Sequence, residues 1–323
     1  MKEKIITKKI LKWYDLNKRS LPWRKKVSLE RKQYYTLISE FMLQQTQVST
    51  VIPFFNRFIK SLPSLNSLAK VNEKKLIKLW EGLGYYSRAR NLKKTAQVVI
   101  KNFDGKLPNN FEDLLKLPGI GNYTANAILA IAFNKPYIPL DGNIERVLKR
   151  YLYLKKEKEI QKDNLVQKKI IFGTTLRSSD YAQALMELGA IICKPNNPIC
   201  DKCPIRKKCK SYKKKDFNLT KSIKKNKDKY FVLKVYKKDQ RYLLIKNTKF
   251  NFLKNLSIFP MKELSNPKNF NENLNFKMSN MNMNIKIQYS KDSQKFPFSY
   301  WLDKKKLNSY MLPSFTKKVV QNL

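Results

Sequence analysis

Leu117-Pro118-Gly119-Ile120-Gly121-Asn122-Tyr123-Thr124-Ala125 decides how the N-terminal part of this chain is read. Apolar residues at helical spacing run into Leu117, and the proline at 118 cannot continue that helix. Gly119 and Gly121 permit a tight turn, and a second helix is expected near Asn122. The N–H groups exposed at such a turn and helix start make a seat for a phosphate. An ordinary helical hairpin, with L-P-G-x-G as a chance stop signal, is the plain alternative. Residues 111–133 are read as two helices joined by this turn.

The helical pattern extends over 1–212. Apolar residues recur at three- and four-residue steps in 6–14, 37–58, 76–80, 91–100, 111–115, 124–133 and 181–192. Pro, Gly and Asn breaks separate these stretches. Two to four strands could hide among them, but no alternating run stands out. Twenty residues after the turn, Asp141 of Pro139-Leu-Asp-Gly-Asn143 stands between a proline-broken loop and an amphipathic helix. Its simplest role is an N-cap, which also displays a carboxylate at the mouth of a cleft. Upstream, Glu40 lies among Leu37, Ile38, Phe41, Met42 and Leu43. A carboxyl in such company has its charged form desolvated and suits a general acid. A surface glutamate on an amphipathic helix is the competing reading.

Downstream are the chain's four cysteines, Cys193-x6-Cys200-x2-Cys203-x5-Cys209. Such clustering without an export signal favours thiolate ligation of a metal over disulfides, and the spacing alone does not choose zinc or an iron–sulfur cluster. There is no His at all, so any acid–base chemistry falls to carboxylates, Lys, Tyr or Cys.

The 323 residues suggest two domains, and 42% hydrophobic residues can fill their cores. Lys+Arg number 68 against 24 Asp+Glu, a net charge of +44. A polyanionic partner is the functional reading. The competing one is genome bias, because 57 of the 68 are Lys and Asn and Ile abound. No apolar run approaches the roughly 18 residues of a membrane span, so no membrane partner is expected. A soluble monomer in a bacterial cytoplasm, associated with the nucleoid, is the expectation. Residues 213–228 read as a basic linker. Tyr230–Tyr236 and Arg241–Lys246 then alternate as a β-hairpin, and the Asn-rich tract 265–285 reads as a loop.

Taken together, these motifs resemble the adenine-DNA glycosylase (MutY) family of the helix-hairpin-helix, endonuclease III-like superfamily. The Glu40 stretch reads S-E-x-M-L-Q-Q-T-Q-V as in that family, and Leu21-Pro-Trp-Arg24, Gly82-Leu-Gly-Tyr-Tyr-Ser-Arg88-Ala-Arg-Asn91 and Tyr181-Ala-Gln183 also match. The resemblance implies a multidomain α and α+β fold. Residues 1–212 form an all-α helix-hairpin-helix glycosylase domain whose cluster loop, 193–209, binds one [4Fe-4S] cluster through Cys193, Cys200, Cys203 and Cys209. After the linker, 229–323 form a shortened, degenerate Nudix-like α/β domain.

The implied activity is base excision repair of double-stranded DNA, by flipping out and excising adenine from A:8-oxoG or A:G mispairs. Glu40 and Asp141 are then catalytic, with Tyr123 and Asn143 orienting Asp141. Trp23, Arg24, Gln44, Gln45, Tyr85, Arg88, Gly119, Gly121 and Gln183 meet substrate or DNA. Endonuclease III, an oxidised-pyrimidine glycosylase and lyase, is the nearest competitor, but its hairpin lysine is replaced here by Tyr123. A catalytically silent DNA-binding relative is a further alternative, and retention of both Glu40 and Asp141 argues against it. Two departures stand out: 24–35 is longer than in typical relatives, and a chain without His cannot carry the Phe-Ser-His loop that reads 8-oxoguanine.

Overall fold

The computed structural model describes residues 4–155, 175–219, 227–265, 267, 269–278, 281–290, 296–306, 310 and 312–323. They fall into two compact units, Met1–Val71 with Arg90–Lys221 and Asn72–Ala89 with Ser222–Leu323. The second unit thus includes a short stretch that a simple division near the linker assigns to the first. Part of the expected linker, 220–226, lies outside the described residues.

The first unit is helical, with no strand among its described residues. Its helices are α1 (Ile5–Asn17), α2 (Leu29–Leu43), α3 (Val48–Ser61) and α4 (Leu65–Lys70). After α5 (Glu73–Trp80) of the other unit come α6 (Tyr86–Asn102), α7 (Phe111–Leu115), α8 (Asn122–Ile131), α9 (Gly142–Leu152), α10 (Ser178–Glu187) and α11 (Lys210–Lys214). The periodic stretch 37–58 is two helices. The chain turns between them, with Gln45 left-handed at φ 55°. The short α4 escaped the apolar periodicity; it is fixed by a capping box in which Ser64 and Ser67 satisfy each other's backbone.

α2 positions the site because it is buried nearly all round: Tyr34 and every residue from Thr36 to Met42 are buried. It packs on α3 and α8, while α10 packs on α1, α8 and α9. One core cluster joins Ile10 and Tyr14 of α1, Ile144 and Leu148 of α9, and Leu185 and Leu188, with Cys193 and Cys203 against its edge. Gly189 permits that closeness, since a Cβ there would lie 2.6 Å from the Asn143 Cβ.

The strands of the second unit are β1 (Lys227–Lys238), β2 (Arg241–Lys246), β3 (Ser257–Ile258), β4 (Met261–Leu264), β5 (Leu274–Met278), β6 (Met281–Ser290) and β7 (Ser299–Asp303). Their order is β3-β2-β1-β6-β5, with β4 paired to β1 and β7 to β2. The expected hairpin is present, Lys238 facing Arg241 across a turn with Asp239 at φ 52°. The Asn-rich tract is a loop only in part: β5 lies in it and β6 begins in it, and β6 runs parallel to β1 from Met281 opposite Lys227 to Ser290 opposite Tyr236. Composition hid an alternation in which Leu274, Met283 and Ile285 face the core while the asparagines between them face away from it. Phe315 and Val319 of the C-terminal helix α12 (Ser314–Gln321) close that core.

Candidate active site

A cavity of about 1240 Å³ opens in the first unit, and Glu40, Tyr123, Asp141 and Asn143 all line it, with Trp23, Arg24, Gln44, Gln45 and Gln183. Glu40 is 5% exposed in the fully packed α2. Burial pushes its carboxyl up to about 7, the Tyr123 hydroxyl that donates to it pulls down, and the charge of Asp141 pushes it further up. Tyr123 is held protonated, first by burial and then by the two carboxylates.

Asp141 caps α9 as its position suggested: Oδ1 accepts from Ile144 N–H at 2.7 Å, and Oδ2 from the Asn143 amide at 2.9 Å. Burial raises its pKa and those two donors oppose the rise. Asn143 is itself fixed, its Oδ1 accepting from Arg146 at 2.7 Å, while Arg146 also donates to the carbonyls of Cys193 (2.7 Å) and Gly189 (2.8 Å). The aspartate, its cap and the first cysteine thus hang on one guanidinium.

Two site residues carried no readable signal. Glu187 is fully buried at the end of α10, accepting from Arg19 Nε at 2.8 Å and Nη2 at 2.9 Å and pairing with Arg24 at 2.9 Å. An ion pair between distant residues leaves no trace in periodicity, and Arg19, which is exposed, and Glu187 are 168 residues apart. The 24–35 segment begins α2 at a Ser28 cap and places Lys25, Lys26, Val27 and Lys32 on the cavity lining.

Other expected residues divide. Gln44 reaches Gly119 O and Thr124 Oγ1, both at 3.5 Å, tying the end of α2 to the glycine turn. Trp23 packs edge-on against Phe55, and Gln183 donates to Ser179 O at 3.2 Å. Gly119 is required twice over, with φ 81° and a virtual Cβ 2.9 Å from Asn91 and 3.0 Å from Phe41. Gly121 is not: it is extended at φ −103°, with nothing within 4 Å of a Cβ. It serves as the N-cap of α8, which has no side-chain cap bond.

Tyr85 and Arg88 belong to the second unit and are described there alone. Tyr85 is exposed, at φ 45°. Arg88, expected to meet DNA, is 7% exposed and donates to the carbonyls of Leu83 (2.9 Å) and Gly84 (3.2 Å), so it braces the turn.

The four cysteines are half-buried and none is in a disulfide. Backbone groups hydrogen-bond to the sulfurs of Cys203 (from Ile205) and Cys209 (from Tyr212 and Ser211). Arg150 lies 3.5 Å from the Cys193 sulfur and donates to the carbonyls of Lys194 and Pro195 at 2.6 and 2.7 Å. Among the described residues, no group of three or more His, Cys, Asp or Glu is arranged to hold a single metal ion. The donor set, four sulfurs each within electrostatic reach of others in the set, fits a thiolate-bound group.

Residues 38–170 match the family model of the HhH-GPD superfamily base excision DNA repair protein. A curated relative, adenine DNA glycosylase of Buchnera aphidicola subsp. Schizaphis graminum, is 38% identical over 271 residues, covering 79% of this chain and 74% of that protein. The adenine DNA glycosylase of the Baizongia pistaciae subspecies is 45% identical over 63% of this chain and 57% of its own length. That of Rattus norvegicus is 40% identical over 64% and 41%. The chain thus spans about half the length of some curated relatives it matches. A solved thermostable thymine-DNA glycosylase aligns with TM-score 0.58 and 30% identity, covering 65% of this chain and 96% of that one. An endonuclease III–DNA complex aligns at 0.53 and 22% over 67% and 98%, a likeness of fold.

Proposed function

The chain belongs to the adenine DNA glycosylase family of base-excision DNA repair proteins, and on that premise we propose that it extrudes adenine from A:8-oxoG or A:G mispairs in duplex DNA and hydrolyses its N-glycosidic bond without cutting the strand. One observation carries the reading: an acid tuned to about 7 and a capped aspartate share a cavity through Tyr123. Glu40 donates its proton to a ring nitrogen of the adenine, and the C1′–N bond breaks with its electron pair leaving on the base. Asp141 stabilises the sugar cation, the logic of paired carboxylates in glycoside hydrolysis. Water adds to C1′, and its proton returns to the carboxylates. Asn143 and the Ile144 N–H keep Asp141 aimed, while Tyr123 holds Glu40. Arg24 and Glu187 supply a charged edge to the cavity.

Cys193, Cys200, Cys203 and Cys209 would hold a [4Fe-4S] cluster, and the backbone donors to two of the sulfurs suit thiolates. Bound there, the cluster supplies structural cross-linking of a loop that carries the exposed Lys194. The C-terminal unit is read as the family's Nudix-like domain, reduced in size. A monomer working on the bacterial nucleoid fits this reading.

The test is single-turnover base release. Glu40→Gln and Asp141→Asn should each slow it by about 10²–10⁴ while leaving duplex binding largely intact. The product strand should stay uncut until alkali is added, and borohydride should trap little complex, since Tyr123 offers no amine. Full activity in either variant, or trapping as fast as base release, would overturn the proposal.

A further inference from the structure

The second unit holds an ion pair that joins its C-terminal helix to the turn displaying Tyr85. Between Trp80 and Tyr86 the backbone is left-handed at Gly82 (φ 104°), Gly84 (φ 69°) and Tyr85 (φ 45°). A non-glycine residue persists there only when its surroundings hold it. The bracing is visible: Leu83 N–H donates to Trp80 O at 3.0 Å, the Trp80 indole to Gly84 O at 3.2 Å, and Arg88 to both turn carbonyls. The Arg88 guanidinium also stands 5.4 Å from the Tyr85 ring centroid.

Glu81 begins this turn. Its side chain is 13% exposed, and its oxygens meet Lys78 at 2.9 Å and Lys317 at 2.6 Å. Lys78 belongs to the same local helix end, but Lys317 comes from α12, far along the chain. That helix is itself anchored, since Phe315 and Val319 are buried in the sheet core. A carboxylate removed from water at the first residue of a strained turn needs compensation, and the chain draws half of it from its C-terminal end.

We propose that Lys317 is a positioning residue for the Tyr85 turn: by pairing with Glu81 it holds the turn that presents the exposed ring to a distorted base stack. This rests on the reading of Tyr85 as a DNA-facing residue. It gives the C-terminal segment a part in opening the duplex that is separate from reading the opposing base.

The experiment uses the full chain and a duplex with 2-aminopurine beside an A:8-oxoG mispair, whose fluorescence rises as the stack opens. Lys317→Met and Glu81→Gln should slow both the fluorescence rise and single-turnover adenine release by about fivefold, the worth of a partly buried ion pair. Lys317→Arg should behave like the native chain, and the charge swap Lys317→Glu with Glu81→Lys should recover part of the loss left by Glu81→Lys alone, the rest being held back by the like charge of Lys78. Native fluorescence and rate in Lys317→Met would overturn the inference while leaving the proposed function intact. A loss matched by a lower melting temperature and unrelieved by the swap would reduce the pair to a fold contact, and overturn it equally. A native chain that releases no adenine would instead sink the functional reading, and this inference with it.

Discussion

On the proposed mechanism Glu40 ties one buried side chain to both a pH dependence and a cost in stability. The acid then carries its proton when the base leaves, and its pKa of about 7 means that the protonated fraction falls as pH rises through neutrality. Single-turnover release at saturating enzyme should therefore decline above pH 7, and the decline should vanish from the residual rate of Glu40→Gln. A native rate flat from pH 6 to 9 would contradict the assignment. The same group acts on stability with a definite sign. Its folded pKa is raised above the usual 4.5, so the stability it contributes is complete below about 4.5 and lost as pH rises through about 7. Glu40→Gln should gain up to roughly 3 kcal/mol more at pH 8.5 than at pH 4, read by denaturant unfolding. Asp141 was readable from its cap position, whereas the apolar neighbours of Glu40 left a surface glutamate open and it was the resemblance of its S-E-x-M-L-Q-Q-T-Q-V stretch that singled it out. Arg19 and Glu187 were not, because the pairing of distant charges has no local pattern.

The glycine turn between α7 and α8 separates what a motif needs from what it merely contains. Its start is where the sequence places it, α8 beginning at Asn122, while α7 ends at Leu115, two residues short of the Leu117 that the pattern ran into. The two glycines look equivalent as letters, yet only Gly119 is left-handed and crowded, against Asn91 of α6 and Phe41 of α2. Gly119→Ala should cost about 1–3 kcal/mol, from strain and from the push on Phe41. Since Phe41 follows Glu40, base release should slow as well. Gly121→Ala should fold as well as the native chain or up to about 1 kcal/mol better, because its backbone is ordinary and the space is open. Thermal unfolding and duplex affinity check both, and equal losses at 119 and 121 would refute the distinction. Elsewhere, elements were misread where one signal masked another. Apolar spacing ran through the Gln45 break between α2 and α3, and asparagine abundance covered the alternation of β5 and β6.

At the scale of the full chain, the proposed function makes charge and the C-terminal unit the features to test for which duplexes are engaged and how selectively. A net charge of +44 makes binding strongly salt-dependent and nearly blind to sequence, so discrimination must come from specific contacts. The C-terminal sheet is folded around its own core, yet the chain holds no His to donate to an oxidised guanine. In β7, among the described residues, the Tyr300 hydroxyl is already engaged: it donates to Ser257 Oγ at 2.6 Å and its ring stacks on Tyr310. Phe298 is 72% exposed at φ 55°, an apolar tip whose side chain has no hydrogen bond to offer a base edge. Losing one good base contact removes roughly 1–3 kcal/mol of discrimination. The full chain should therefore release adenine opposite 8-oxoguanine less than about tenfold faster than opposite guanine, a gap of under roughly 1.4 kcal/mol. The measurement is the ratio of single-turnover rates on the two duplexes, at saturating protein and one fixed salt concentration, so that non-specific affinity cancels. Raising the salt should weaken binding to both duplexes in parallel and leave the ratio unchanged. A ratio well above a hundredfold that drops in Ser299→Ala would show that the start of β7 has taken over recognition, and that the C-terminal unit reads the oxidised base without a histidine.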